Sequence, residues 1–403
     1  MVNVTLQWIV PPTKARVREM SIPLRVVFAV VVGTWLSAPL SQSLANEPLC
    51  GVPKPGVDDW RIEAQTAVSI DPKPLCALID NLETLELNIH SVLVVRRGSL
   101  VFEHYRRGVD QRGGRALGEV AHGPDVKHDV RSVSKSVVSL LIGIALDRKL
   151  IANIDQTIFS FLPQYASLRT PAKERISLRH LLTMSSGIVW NENMPYADAL
   201  NSEHRMTDAP DPYRYVLERP LMEEPGKVWN YNGGSTTLLA AVLQRTSKKW
   251  IVKFARDELF TPLGITDLEW MQMPASGEFA AAYGLRLRPR DMAKIGQLMI
   301  SHGIWKGKPI VSADWLKEAT KARFPMADTA YYYGYQWWIS SSSVNGKKID
   351  WFEAFGLGGQ RIIIVPSLEL VVVFTTGLYD MQKPWLATTP LLDDYVLPAV
   401  AGP

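Results

Sequence analysis

The sequence predicts an α+β fold: an antiparallel β-sheet flanked by helices in an α/β-α sandwich. Both chain ends supply strands, and an all-α subdomain is inserted at about residues 150–270. Three observations predict this. Two apolar runs, residues 91–95 and 100–102, flank the turn Arg96-Arg97-Gly98-Ser99 and read as a β-hairpin. A second hairpin reads near the other end, residues 362–365 and 370–375 around Pro366-Ser367, with a tight Asn345-Gly346 turn ahead of it. Between the two, apolar residues recur with helical spacing.

The helical block opens with residues 132–146, which are apolar on nearly every face, as in a fully buried central helix. Residues 177–184 and 236–244 have helical spacing. Residues 291–301 form another helix, with Asp291 in the first turn, where an acid favours the macrodipole. His180 reads as a core histidine making one hydrogen bond, and the Trp- and Tyr-rich stretch 331–338 reads as sheet core with one ring lining a pocket.

The 403 residues are 47% hydrophobic and 21% charged, an ordinary globular balance with ample material for a core. The net charge of +4 falls to +1 without the first 45 residues, which hold four basic residues and one acid. No basic tract tracks a phosphate backbone, so nucleic acid is not an expected partner. Arg25 precedes an apolar run, residues 26–40, of signal-peptide length and too short for a confident membrane span; small residues at Ser43 and Ala45 then suit a signal peptidase. The expected organisation is a signal peptide over 1–45, an N-terminal extension over 46–85 that is Pro-rich and irregular at first, and the main domain over 86–403. Export, to the periplasm of a bacterium, and no stable membrane span after processing follow from that reading; an uncleaved anchor is its alternative. Cys50 and Cys76, the only cysteines, can pair in an oxidising compartment, but their spacing does not demand it.

The chemistry is carried by Arg131-Ser132-Val133-Ser134-Lys135-Ser136, the only S-x-x-K in the chain. Residues i and i+3 share a helix face, so the Ser132 hydroxyl and the Lys135 amine can meet. Serine needs a base to become nucleophilic, and a lysine can be that base if burial disfavours its ammonium form. Backbone N–H groups at the helix N-terminus beside Ser132 suit an oxyanion. The second element is Pro225-Gly226-Lys227-Val228-Trp229-Asn230-Tyr231-Asn232-Gly233-Gly234. Here Tyr231 would sit on a loop and relay a proton if a neighbouring cation lowered its pKa; taken alone it reads first as a packed aromatic. The third is Ala354-Phe355-Gly356-Leu357-Gly358-Gly359-Gln360. Its glycines suggest close approach of another group, either a substrate along the strand edge or only a β-bulge, and the Leu357 N–H is a candidate second oxyanion donor.

In order and spacing these elements resemble the serine β-lactamase and penicillin-binding-protein superfamily. Ser132-Val133-Ser134-Lys135 resembles its first motif, Tyr231-Asn232-Gly233 its Y-x-N motif, and Ala354-Phe355-Gly356 lies where the family carries K-T-G. The connecting text Arg179 to Gly187, Pro262 to Ile265, Pro289 to Lys294 and Tyr333 to Trp338 is similar as well, so the resemblance spans roughly residues 90 to 380. Within the superfamily the chain is most similar to class C-like hydrolases of the 6-aminohexanoate-dimer hydrolase type, then to family VIII esterases. The resemblance implies a β-lactamase/transpeptidase-like fold and a catalytic set of Ser132, Lys135 and Tyr231. It also implies an oxyanion hole from the backbone of Ser132 and Leu357, and Asn232 and Gly356 on the substrate.

Two departures bear on the substrate. Gly233 leaves no amide at the third Y-x-N position, for which Asn232 is the nearest substitute, and Ala354 replaces the K-T-G lysine that holds a substrate carboxylate. Ester or amide cleavage of a small molecule through an acyl-enzyme is therefore expected ahead of β-lactamase or D,D-peptidase activity. A non-catalytic penicillin-binding-like sensor is the remaining alternative. There is no G-x-S-x-G elbow and no H-E-x-x-H, and the seven histidines are scattered along the sequence. No metal and no organic cofactor are expected, and the oligomeric state is not legible.

Overall fold

The computed structural model describes residues 49–401 apart from Asp328 and Gln382; the expected signal peptide over 1–45 lies outside the described residues. An eight-stranded antiparallel sheet runs in the order Phe324–Pro325, Tyr332–Tyr333, Trp338–Val344, Lys347–Gly356, Gln360–Val365, Leu370–Thr376, β1 (Ile89–Arg96) and β2 (Ser99–Tyr105). The early hairpin and the late strands meet in its middle, where β1 pairs with Leu370–Thr376 from Ile89↔Thr376 to Arg96↔Leu370. Both chain ends thus build one sheet, the architecture read from the sequence.

Every residue of β1 is buried, because helices cover both faces of the sheet. Leu93 and Val95 face the cluster around the helix Val133–Asp147. Val92 and Val94 face a second cluster made with the helix Pro72–Thr84 and with Leu391, Leu392, Val396 and Leu397 near the C-terminus. A strand buried on both sides reads as a continuous apolar run, not an alternating one. Asn345 and Gly346, both at positive φ, make the turn between Trp338–Val344 and Lys347–Gly356.

The N-terminal extension is more ordered than its prolines suggested. Asp71 accepts a hydrogen bond from the Lys73 N–H, Pro72 opens the helix Pro72–Thr84, and Leu75, Leu78 and Leu82 form its buried stripe. A Cys50–Cys76 disulfide ties the start of this segment to that helix. Arg290 holds it from the other side, through Asp58, Glu103 and the Lys54 carbonyl.

Between residues 150 and 268 the described strand-like contacts are two isolated bridges, and the rest is helix and turn. The helices Leu178–Leu182, Ser202–Thr207 and Gly233–Ser247 matter most here, because they surround the start of Val133–Asp147. His180 caps the first of them, its Nδ1 accepting from the Ser177 N–H at 3.2 Å.

On the far face of the sheet the fully buried Arg361 pairs with Glu353 at 2.5 Å and donates to Thr388 and Thr389. Removing one member of such a pair strands a charge out of water. Glu353→Ala is expected to lower unfolding free energy by about 3–5 kcal/mol, read by chemical denaturation. A loss under 1 kcal/mol would show that Arg361 finds another counter-charge.

Candidate active site

Ser132 stands at the N-cap of the helix Val133–Asp147, and residues Val133 to Ala145 are all buried. Ser132 itself is half-buried and remains accessible. One turn in, Lys135 is 1% exposed; its Nζ lies 3.1 Å from Ser132 Oγ and 3.1 Å from the Ala282 carbonyl. Arg131, just before the nucleophile, is held at φ 50°, a region that a residue with a side chain seldom adopts. Its guanidinium lies 5.5 Å from the Tyr379 ring centre.

Tyr231 closes the other side. Its hydroxyl hydrogen-bonds Ser132, and the Lys135 amine sits 4.8 Å from its ring centre. The lysine does not lower the phenol's pKa. Burial first, then the charge of Glu192, raises it well above its ordinary value. The expectation of an acidified tyrosine is corrected on that point: the group beside Ser132 is a protonated phenol, a donor. Around it, Trp229, Tyr333 and Trp338 pack edge-on to one another as an aromatic wall, in which Trp229 Nε1 and the Tyr333 hydroxyl are buried without a hydrogen-bond partner.

Gly356 ends the strand Lys347–Gly356 and abuts the nucleophile's backbone. A Cβ there would collide with the Val130 carbonyl and lie 3.2 Å from Ser132 N. The group that approaches this glycine is therefore the chain's own backbone, so Gly356 serves the site by letting the strand touch Ser132. Leu357 follows in a turn closed by the Gly359 N–H on the Gly356 carbonyl at 3.0 Å. Among the hydrogen bonds of the described residues, the N–H groups of Ser132 and Leu357 donate to no acceptor, as an oxyanion pair requires.

Asn232 caps the helix Gly233–Ser247, its Oδ1 accepting from the Ser235 N–H at 2.9 Å; only its Nδ2, buried and unpartnered, is left for a substrate. Ala354 is fully buried in the core against Ile362, so no cation occupies the K-T-G lysine's place. Arg361, next along the sheet, points to the opposite face.

Two residues that sequence reasoning missed complete the arrangement. Glu203, 3% exposed, places Oε1 3.7 Å from Lys135 Nζ, in the space that a side chain at Gly233 would fill. Glu192 accepts from the Gly233 N–H and from Trp190 Nε1, each at 2.5 Å. Burial, and next the charge of Glu192, push Glu203 well above the usual carboxylate range, against the opposing charges of Lys135 and Arg131. The only signal in the sequence was Gly233 itself, a missing side chain that something else had to replace.

A serine on a helix N-terminus, a buried amine within reach and a phenol on the serine are groups that acyl transfer needs. The beta-lactamase family model matches residues 89–388. A 6-aminohexanoate-dimer hydrolase of Paenarthrobacter ureafaciens is 24% identical over 326 residues, covering 74% of this chain and 76% of that protein. Among solved structures, a putative 6-aminohexanoate-dimer hydrolase from Bacillus anthracis superposes with a TM-score of 0.62 at 19% identity, over 79% of this chain and 82% of the other. EstCE1, a hydrolase with promiscuous acyltransferase activity, superposes with a TM-score of 0.62 at 16% identity, over 82% and 98%. The chain belongs to the beta-lactamase family and is a serine hydrolase.

Proposed function

We propose that this protein cleaves an amide or ester bond of a small, uncharged substrate through an acyl-enzyme on Ser132. The observation that carries the proposal is the 3.1 Å contact between Lys135 Nζ and Ser132 Oγ, inside a wall that keeps water from the amine. Lys135 takes the Ser132 proton as Oγ attacks the carbonyl carbon. The N–H groups of Ser132 and Leu357 receive the oxyanion. Tyr231 passes its proton to the leaving amine or alcohol and is refilled from Lys135. Water then hydrolyses the ester, with the same groups moving protons in reverse.

Ala354 supports an uncharged substrate. A charge-assisted hydrogen bond is worth about 1.5–3 kcal/mol, and its loss weakens a carboxylate-bearing ligand by roughly tenfold to a hundredfold. The aromatic wall favours an apolar acyl or leaving group. The relatives' names favour the same reading, since one is a 6-aminohexanoate-dimer hydrolase and another a hydrolase with promiscuous acyltransferase activity. The Cys50–Cys76 disulfide supports an exported protein. Among the described residues no helix is long and apolar enough to cross a membrane.

Ser132→Ala is expected to lower turnover of a p-nitrophenyl ester by about a thousandfold or more, and a fluorophosphonate probe is expected to label Ser132. Labelling of another serine would overturn the assignment. In a panel of short-chain esters, a linear amide dimer and nitrocefin, the esters or the amide should turn over and nitrocefin should lag. Nitrocefin turnover equal to the best ester would restore the β-lactamase reading.

Glu203 sets a pH limit. Its proton leaves as pH rises through about 8, and a carboxylate then faces Lys135, with Glu192 adding to the negative charge and Arg131 opposing it. That added negative charge opposes the oxyanion that forms beside Ser132. Ester kcat/KM, corrected for spontaneous hydrolysis, should therefore fall above pH 8 in the unmutated protein and stay flat there in Glu203→Gln. An alkaline fall that persists in the variant would assign it to another group.

A further inference from the structure

Three of the seven histidines, far apart in sequence, meet in the fold outside the Ser132 site. His90 lies on β1, His122 just beyond the end of β4 (Arg115–Ala121), and His128 in the short strand β5 (His128–Asp129). Asp110 joins them from β3 (Arg107–Arg112), and the four candidate ligand atoms lie within 4.8 Å of one another. We propose that His90, Asp110, His122 and His128 bind one transition-metal cation of the zinc type, as a closed structural site bracing the wall behind Ser132.

The placement of each donor argues for a built site. β3 and β4 form a two-stranded hairpin whose residues are mostly exposed or half-exposed, and Asp110 is the only fully buried one. A surface hairpin ordinarily turns an apolar side chain inward, and this one turns in a carboxylate. A bulge between Asp110 and Gln111 re-aims the strand at that point. Two glycines clear the way: a Cβ at Gly108 would lie 2.7 Å from the His90 ring, and one at Gly377 would lie 2.9 Å from it.

The donors are also oriented. His90 Nε2 lies 2.9 Å from Asn88 Oδ1, which fixes the ring and turns Nδ1 inward. That Nδ1 faces His128 Nε2 at 2.7 Å, and Asp110 Oδ2 lies 3.5 Å from the same nitrogen. Without an ion, a single shared proton holds the two imidazoles together; a cation takes that proton's place. Asp110 Oδ1 accepts from the Tyr379 hydroxyl at 3.1 Å, which leaves Oδ2 for the ion. His122 stacks on His90 with ring centres 3.9 Å apart, and its Nε2 is buried with no partner. Turning off that stack completes a fourfold set.

The donor set selects the ion. Three imidazoles and a carboxylate suit tetrahedral zinc, whose bonds of about 2.0–2.1 Å put ligand atoms about 3.3–3.4 Å apart. The four atoms already bracket that spacing, and four protein donors fill a tetrahedral shell. The site's consequence is mechanical. His128 lies four residues before Ser132, its neighbour Asp129 pairs with Arg286, and Tyr379 reaches from Asp110 to the ring contact with Arg131.

The test uses untagged full-length protein, stripped with a chelator and dialysed. It is titrated with zinc chloride by calorimetry and with cobalt(II) by visible absorption. One ion per chain, a tetrahedral cobalt(II) spectrum and a melting temperature that rises with zinc are expected. Asp110→Asn preserves shape, and His122→Ala alters the partly exposed donor; each should weaken zinc by at least about tenfold, as Asn88→Ala should by about 10–100-fold. Circular dichroism of each stripped variant reports whether it folds. Ser132→Ala should bind zinc like the unmutated protein, so failure of the metal site and failure of the hydrolase reading are separable. No binding at one ion per chain, or binding that Asp110→Asn and His122→Ala leave unchanged, would overturn the proposal.

Discussion

The burial of Lys135 is the constraint on which the rest of the site depends. An amine on an exposed helix face would be held by water as ammonium and would take no proton from a serine. Burying it demands a helix with no solvated side, and Val133–Asp147 is such a helix, enclosed by the sheet and by Gly233–Ser247. Enclosure in turn demands partners for whatever polar atoms go inside. Lys135 donates to the Ala282 carbonyl and to Ser132 Oγ, Ser136 donates to the Gln336 carbonyl, and Ser134 donates to the Arg131 carbonyl. The nucleophile escapes burial only because it sits at the helix's first position.

That constraint explains what was legible in the sequence. A helix apolar on every face, with one lysine three residues after a serine, announces itself without any tertiary knowledge. The two hairpins announce themselves through their turns. The helix Pro72–Thr84 carried an equally plain signal, Asp71-Pro72 before leucines at 75, 78 and 82, but it lay in a segment whose prolines suggested irregularity. What could not be read was proximity across the fold. Glu203 and Glu192 carry no motif; they matter only because a short helix and the loop before it bring them against Gly233. The histidines are 32 and 6 residues apart along the chain, with no ligand spacing, and only the fold, which sets β1 and β5 beside the hairpin of β3 and β4, gathers them.

Gly233 shows how a departure from a motif is compensated. The family pattern places an amide at that position. This chain deletes the side chain and brings a carboxyl into the vacated volume from another helix, Ser202–Thr207. A protonated carboxyl offers both a donor and an acceptor, as an amide does, though with one donor in place of two. The exchange adds a titration that an amide lacks, because the replacement can ionise.

The sheet register makes the remaining distinction, between a site that holds an anion and one that does not. Successive residues of a strand point to opposite faces. Ala354 faces the helix Val133–Asp147 and the reaction, while Glu353 faces the other way and neutralises Arg361. The one strongly cationic side chain of the neighbouring strand is thereby committed to the far side of the sheet, where Thr388 and Thr389 complete its hydrogen bonds. On the reactive face the cation beside Ser132 is Arg131, held against Tyr379 and drawn toward Asp129 at 3.5 Å. A substrate carboxylate would have to compete with that carboxylate for the guanidinium, whereas a neutral ester or amide competes with nothing. The proposed preference for uncharged substrates therefore rests on where the chain has already committed its positive charges.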